Sequence, residues 1–179
     1  IRGEKQACDA FYRLHARQVL DWVRRLGGRY ISTEDVAHDA FAVAFRRLHT
    51  LKPDGEPIAW LYGITRNVVN NARRRAKFRN MIGLDLIAPP KSQRPDSQEL
   101  AERQQQRLIV LETLQQLKPD QRDVLILLDM DQRTAPEVAK MLDLPVGTIY
   151  SRLHHARRAF LAAWPKTVAN WQRIQRRQQ

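Results

Sequence analysis

The sequence predicts an all-α chain: two small helical domains joined by an extended linker. Three observations carry that reading. The β-branched alternation that a strand needs is absent, and Leu, Ala, Arg and Gln dominate. Apolar residues recur at helical spacing on both sides of the middle. Between them lies NMIGLDLIAPPKSQRPDSQ, residues 80–98, where Pro89, Pro90 and Pro95 break any helix. A chain of 179 residues, 43% hydrophobic, is long enough for one domain or for two that each bury a modest core.

The first block spans residues 4–79. Phe11, Leu14, Val19, Trp22 and Val23 mark the inner face of an opening helix, and Gly27-Gly28 turns the chain. Ser32 or Thr33 caps the next helix, and Glu34 and Asp35 suit the positive end of its dipole. Val36, Ala37, Ala40, Phe41, Ala44, Phe45 and Leu48 form its apolar stripe. LKPDGEP, residues 51–57, is a loop, followed by a third helix with Ile58, Leu61, Thr65, Val68 and Ala72 facing inward. The linker at 80–98 reaches roughly 60 Å when extended, at ~3.3 Å per residue.

The second block spans 99–164. A helix through Leu108, Leu111, Leu114 and Leu117 precedes one that starts at Pro119 and contains VLILL. In TAPEVAKML, Thr134 and Glu137 stand at capping-box spacing. DLP ends that short helix, and PVGTIYSRLHHARRAF begins a longer one. The segment 165–179 is basic and Gln-rich; it can be helical, and the role expected of it is a solvated tail.

The charge narrows the function. Thirty-one Lys and Arg against nineteen Asp and Glu leave +12, an excess that attracts polyanions, nucleic acid before anionic membrane. Cys8 is the single cysteine, so neither an internal disulfide nor a Cys-rich zinc site can form. Apolar runs such as Val124–Leu128 fall far short of the ~20 residues that span a bilayer, and the opening residues carry no signal-peptide pattern. A reduced, soluble, cytoplasmic protein that does not insert into membrane is expected. No paired carboxylates with supporting ligands, Gly-rich phosphate loop or nucleophile motif occurs, so neither catalysis nor a cofactor is expected.

A short helix, a three-residue break and a longer helix make a helix-turn-helix. Val138, Met141 and Leu142 would pack on Ile149, Leu153, Ala156 and Phe160, which fall at i, i+4, i+7 and i+11. Thr148, Tyr150, Ser151, Arg152, His154, His155, Arg157 and Arg158 then point outward. Arginine can pair with guanine in the major groove, and hydroxyls near a helix start can hold phosphates. A plain solvated face is the alternative. A metal pair is disfavoured, because His154 and His155 are adjacent and project about 100° apart. His38-Asp39 has the look of a metal phosphohydrolase pair, without the remaining ligands.

LKPDQRDVLILLDMDQRTAPEVAKMLDLPVGTIYSRLHHARRAFL resembles region 4 of bacterial sigma factors of the extracytoplasmic-function (ECF) type. The matching residues are Glu137-Val138-Ala139, Pro145, Gly147, Thr148, Ser151-Arg152-Leu153 and Ala156-Arg157. STEDVAHDAFAVAFRRL is similar to region 2.2. PIAWLYGITRNVVNNARRR is similar to regions 2.3 and 2.4, with Trp60-Leu61-Tyr62 and Arg66-Asn67 in the expected places.

The resemblance implies a promoter-specificity subunit that binds core RNA polymerase at its clamp helices and flap. The second domain would sit on the −35 duplex through Thr148, Tyr150, Ser151, Arg152, His154, His155 and Arg158. The first would hold the melted −10 element through Asn67 and Asn71, with Arg66, Arg73, Arg74 and Arg75 on phosphates. Asp35, Asp39, Phe41 and Arg46 are the polymerase-facing residues it implies, although Asp35 also suits a helix N-terminus. Trp60 reads as core or as a support for the loop. An anti-sigma factor or other regulator is the further partner.

Four positions depart from the family pattern. Asp143 stands at the usual Gly of the turn, Tyr150 and His155 at positions often Lys or Arg, and Asn71 at a frequent Asp. A different promoter preference is therefore expected. The competing reading is a free-standing helix-turn-helix regulator with an N-terminal sensor or partner-binding domain, which leaves the Arg/Asn-rich third helix unexplained.

Overall fold

The computed structural model describes residues 2–81 and 98–176, and all of the regular structure among them is helical. The helices are α1 (Arg2–Gly27), α2 (Thr33–Arg46), α3 (Pro57–Met81), α4 (Gln98–Gln115), α5 (Pro119–Leu125), α6 (Ala135–Leu142) and α7 (Val146–Arg176). They form two compact units, one built on α1–α3 and the other on α4, α5, α7 and most of α6. The expected linker lies, apart from its ends at 80–81 and 98, outside the described residues.

In the first unit each helix packs on the other two. Val19, Trp22, Val23, Ala40, Ala44, Leu61, Tyr62 and Val69 are fully buried, with Trp22 and Tyr62 edge to face at 5.0 Å. Gly28 takes φ 68°, the left-handed turn that ends α1 without a Cβ clash. A Cβ on Gly27 would lie 2.1 Å from Ile31 Cδ1, so a larger residue there would have to push the end of the Ile31 side chain aside. Ser32 caps α2, its Oγ accepting from the Asp35 amide at 3.3 Å.

Two residues assigned inward by periodicity lie outside. Leu14 is exposed because α1's buried face is set by Val19, Trp22, Val23 and Leu26. Leu48 is exposed because α2 has already ended and it sits in a 3-10 turn, Leu48–Thr50. The inner face of α3 is wider than one stripe, since Tyr62, Ile64 and Val69 join Leu61, Thr65 and Ala72.

In the second unit α5 and α4 both pack along α7. Ile109, Leu114, Leu117, Val124, Leu125, Ile126 and Leu127 bury the first half of the core, and Val138, Ile149, Leu153 and Ala156 the second. The charged Arg122 is only 4% exposed. Its guanidinium donates to the carbonyls of Leu114 (2.8 Å), Leu117 (3.0 Å) and Gln115 (3.4 Å), closing the C-terminal end of α4.

After α5 the chain widens into a π-turn, Ile126–Met130, closed by the Asp131 amide on the Ile126 carbonyl at 2.9 Å. Gln132 then adopts φ 56°, and its side-chain amide donates to the Asp129 carbonyl at 2.7 Å. Thr134 and Glu137 form the reciprocal capping box that opens α6. Asp143 turns the chain at φ 53°, and the Leu144 amide returns to the Ala139 carbonyl at 3.0 Å.

The basic stretch after Trp164 is, as far as Arg176, the helical end of α7, which continues through Pro165 and is exposed at most positions but not all. Thr167 is buried, its hydroxyl donating to the Ala163 carbonyl, and the Trp171 indole N–H donates to Glu112 of α4. The physical reason is periodicity: Phe160, Trp164, Thr167 and Trp171 prolong the stripe begun by Ile149, Leu153 and Ala156.

Replacing Arg122 with Met roughly keeps volume but removes three guanidinium bonds from carbonyls at the end of α4, of which Leu114 keeps only the Leu117 amide at 3.2 Å. The variant is expected to lose about 3 kcal/mol of stability, read by urea unfolding followed by circular dichroism. A loss below ~0.5 kcal/mol would show that these bonds are replaced by solvent.

Candidate nucleic-acid interface

Burial of Ile149, Leu153 and Ala156 leaves the other side of α7 to solvent. Tyr150, Ser151, His154, His155 and Arg158 are exposed, and Thr148 and Arg152 are half-buried. Arg152 leans towards the start of α5, with Nε 3.8 Å from Asp120 Oδ2. Arg157 is held more firmly. Its Nε and Nη2 meet the two carboxylate oxygens of Asp129 at 2.9 and 2.6 Å, a two-point pair that raises its pKa above the ordinary arginine value.

The imidazoles of His154 and His155 stand edge to face at 5.6 Å. No group of three or more metal-ligating side chains occurs among the described residues.

On α3, Asn67, Asn71, Arg74 and Arg75 are exposed, and Arg66 is half-buried. Arg74 Nη2 donates to Asn71 Oδ1 at 2.7 Å, a bond that does not use the Asn71 amide N–H donors. Arg73 departs from the expected phosphate contact. It is half-buried, its Nη1 donates to the Leu26 carbonyl at 2.7 Å, and burial lowers its pKa. It closes the end of α1 instead.

The loop before α3 is braced from below. Trp60 Nε1 donates to Thr50 Oγ1 at 3.0 Å, and that hydroxyl donates in turn to the Arg47 carbonyl at 2.8 Å. The Gly55 amide closes the loop's own turn on the Lys52 carbonyl at 3.0 Å.

On α2, Asp35, Asp39 and Arg46 are exposed at i, i+4 and i+11, one face of the helix. Phe41 is a correction. It is 3% exposed, with its ring 4.6 Å from Tyr12 and 6.0 Å from Phe45, and it holds α2 against α1 rather than meeting a partner. Sequence reasoning missed Asp120 and Asp129, which position Arg152 and Arg157. Their separation of 28 residues from Asp129 to Arg157 leaves no local pattern to find.

Two family descriptions fit this layout. Sigma-70 region 2 matches residues 11–79, the three-helix unit, and sigma-70 region 4 matches residues 107–160, the unit that holds the helix-turn-helix. The ECF RNA polymerase sigma factor SigL of Mycobacterium tuberculosis is 31% identical over 152 residues, covering 84% of each chain. The ECF RNA polymerase sigma-E factor of Escherichia coli is 30% identical over 150 residues, covering 76% of this chain and 78% of its own. Among solved structures, CnrH in complex with the cytosolic domain of CnrY superposes with a TM-score of 0.62 at 25% identity, covering 88% of this chain and 87% of that one. With both regions in order and a relative of this identity spanning most of its length, the chain belongs to the ECF sigma factors of the sigma-70 family, the initiation factors of bacterial transcription.

Proposed function

We propose that this sigma factor reads the −35 duplex with the outer face of α7 and the melted −10 strand with α3 and the Leu51–Pro57 loop. Residues 4–79 and 99–164 are then its two working domains, docked on core polymerase at the clamp helices and flap. It acts in the cytoplasm and performs no catalysis of its own. The observation that supports this most is the division of α7, with an apolar side buried and a side of Tyr150, Ser151, His154, His155 and Arg158 open to solvent. That is the surface a recognition helix needs, polar, cationic and presented on a fixed support.

The −10 side follows the same chemistry. Taking a base out of the stack costs a few kcal/mol, which edge hydrogen bonds from Asn67 and Asn71 offset. Arg66, Arg74 and Arg75 supply phosphate contacts, while Arg73 stabilises the support. Asp35, Asp39 and Arg46 form the polymerase-facing surface of α2. CnrH is bound by the cytosolic domain of CnrY, and we infer a regulator of comparable kind, an anti-sigma factor or another inhibitor, for this chain. Among the described residues, no helix is long and apolar enough to cross a membrane.

Run-off transcription with purified core polymerase on candidate promoters tests the whole reading. Initiation that depends on this protein is expected. Absence of both initiation and co-purification with core would remove it in favour of a free-standing regulator.

Within that assay, His155→Ala is expected to weaken −35 binding by about 1–3 kcal/mol and relax preference at one base pair, the signature of an edge contact. Arg152→Ala is expected to act more evenly across sequences and to lower the salt slope by about 1, as a phosphate contact does. Unchanged binding in both variants would move the reading face elsewhere on α7.

A further inference from the structure

Past its −10 residues, α3 runs on for two more turns, and these carry side chains that the proposed reading leaves without a role. Phe78 is 59% exposed and Met81 is 74% exposed. Single exposed apolar residues are ordinary on a soluble protein. These two are placed in a pattern. At about 100° per residue, Asn67, Asn71, Arg74, Phe78 and Met81 fall within an arc of about 80° on one side of the helix. The stripe therefore passes without a break from polar base-edge groups, through a cation, to an aromatic ring.

Charge says what the stripe can meet. The helix carries Arg66, Arg73, Arg74, Arg75, Lys77 and Arg79 and no acidic residue. An apolar protein partner gains nothing from that field, whereas a polyanion does. Arg74 is already held against Asn71 at 2.7 Å, four residues from Phe78 on the same face.

We propose that Phe78 is a stacking platform for an unpaired base of the promoter strand, one or more nucleotides away from the base that Asn67 and Asn71 read. Seven residues separate Asn71 from Phe78, about 10 Å along the axis, so the two serve different nucleotides. Stacking on an aromatic ring with cations alongside is how proteins hold single strands without reading their sequence. The stripe thus combines a reading end with a sequence-tolerant end, and the second keeps the melted strand from re-pairing. This proposal rests on α3 being the −10 surface.

The test uses holoenzyme reconstituted with core polymerase. It is titrated onto a promoter fragment left unpaired across the −10 region, with 2-aminopurine placed at successive positions of the unpaired strand. Phe78→Tyr, which keeps a flat ring, is expected to bind as wild type and to give the same fluorescence change at one position. Phe78→Ala and Phe78→Leu are each expected to lose that change and to bind roughly 5- to 150-fold more weakly, with affinity for core unchanged.

Equal binding by the alanine variant overturns the proposal. Rescue by leucine also overturns it, since apolar area without a π-face would then suffice. Weakened core affinity, or a concentration-dependent dimer lost in the alanine variant, assigns the stripe to polymerase or to a second copy instead. If wild-type holoenzyme itself fails to bind the fragment, the −10 reading of α3 falls and takes this proposal with it, a result separate from the others.

Discussion

The last turn of a helix ends in carbonyls that have no intrahelical donor, and both units of this protein close theirs with an arginine from a later helix. Arg73 of α3 bonds the Leu26 carbonyl at the end of α1. Arg122 of α5 bonds those of Leu114, Gln115 and Leu117 at and just beyond the end of α4. The cation complements the negative end of the dipole, and its several donors satisfy groups that burial would otherwise leave orphaned. In each unit the bond fixes where the first helix stops relative to the helix that packs on it.

The same economy governs the surface charge. An excess of arginine suggests a broad field, yet several of the side chains are individually committed. Arg157 is paired with Asp129, Arg152 leans on Asp120, and Arg74 holds Asn71. Asp120 and Asp129 of the second unit restrict where the arginines of α7 point. A guanidinium held in one orientation loses less freedom on meeting a phosphate or a base edge than one that swings freely. Tyr150, Ser151 and Arg158 are the other outward groups of this face, beside the two histidines that stand edge to face.

Much of this was legible in the sequence, and what was not has a common cause. The capping boxes and turns are local, so Ser32, Thr134 with Glu137, and the strain-tolerant Asp143 could be read from neighbours a few residues away. The helix-turn-helix stripe of Ile149, Leu153 and Ala156 follows from a period. The misplacements involve choices between helices. Phe41 fits both an apolar stripe and a partner surface, and the ring of Tyr12 decides for the core. Arg73 sits in a run of three arginines that look alike, and its partner lies 47 residues away. Gln132 takes a left-handed turn that nothing about glutamine announces, because the π-turn before it imposes the geometry. At the end of α7 composition and spacing give different signals: the basic, polar residues suit a solvated tail, while Thr167 and Trp171 continue the buried stripe against α4.

That long final helix also sets a rule for how such a chain can change length. One rod of 31 residues has two buried grips, Ile149 to Ala156 near its start and Thr167 to Trp171 towards its end. Adding a single residue between them swings one grip about 100° away from the core, while adding seven brings it back to within about 20°. Insertions and deletions in this interval are therefore filtered by phase as well as by the ~1.5 Å that each residue adds along the axis. Length changes that leave the stripe in register fall beyond the second grip, after Trp171, where added residues disturb neither the angle nor the spacing of the two grips.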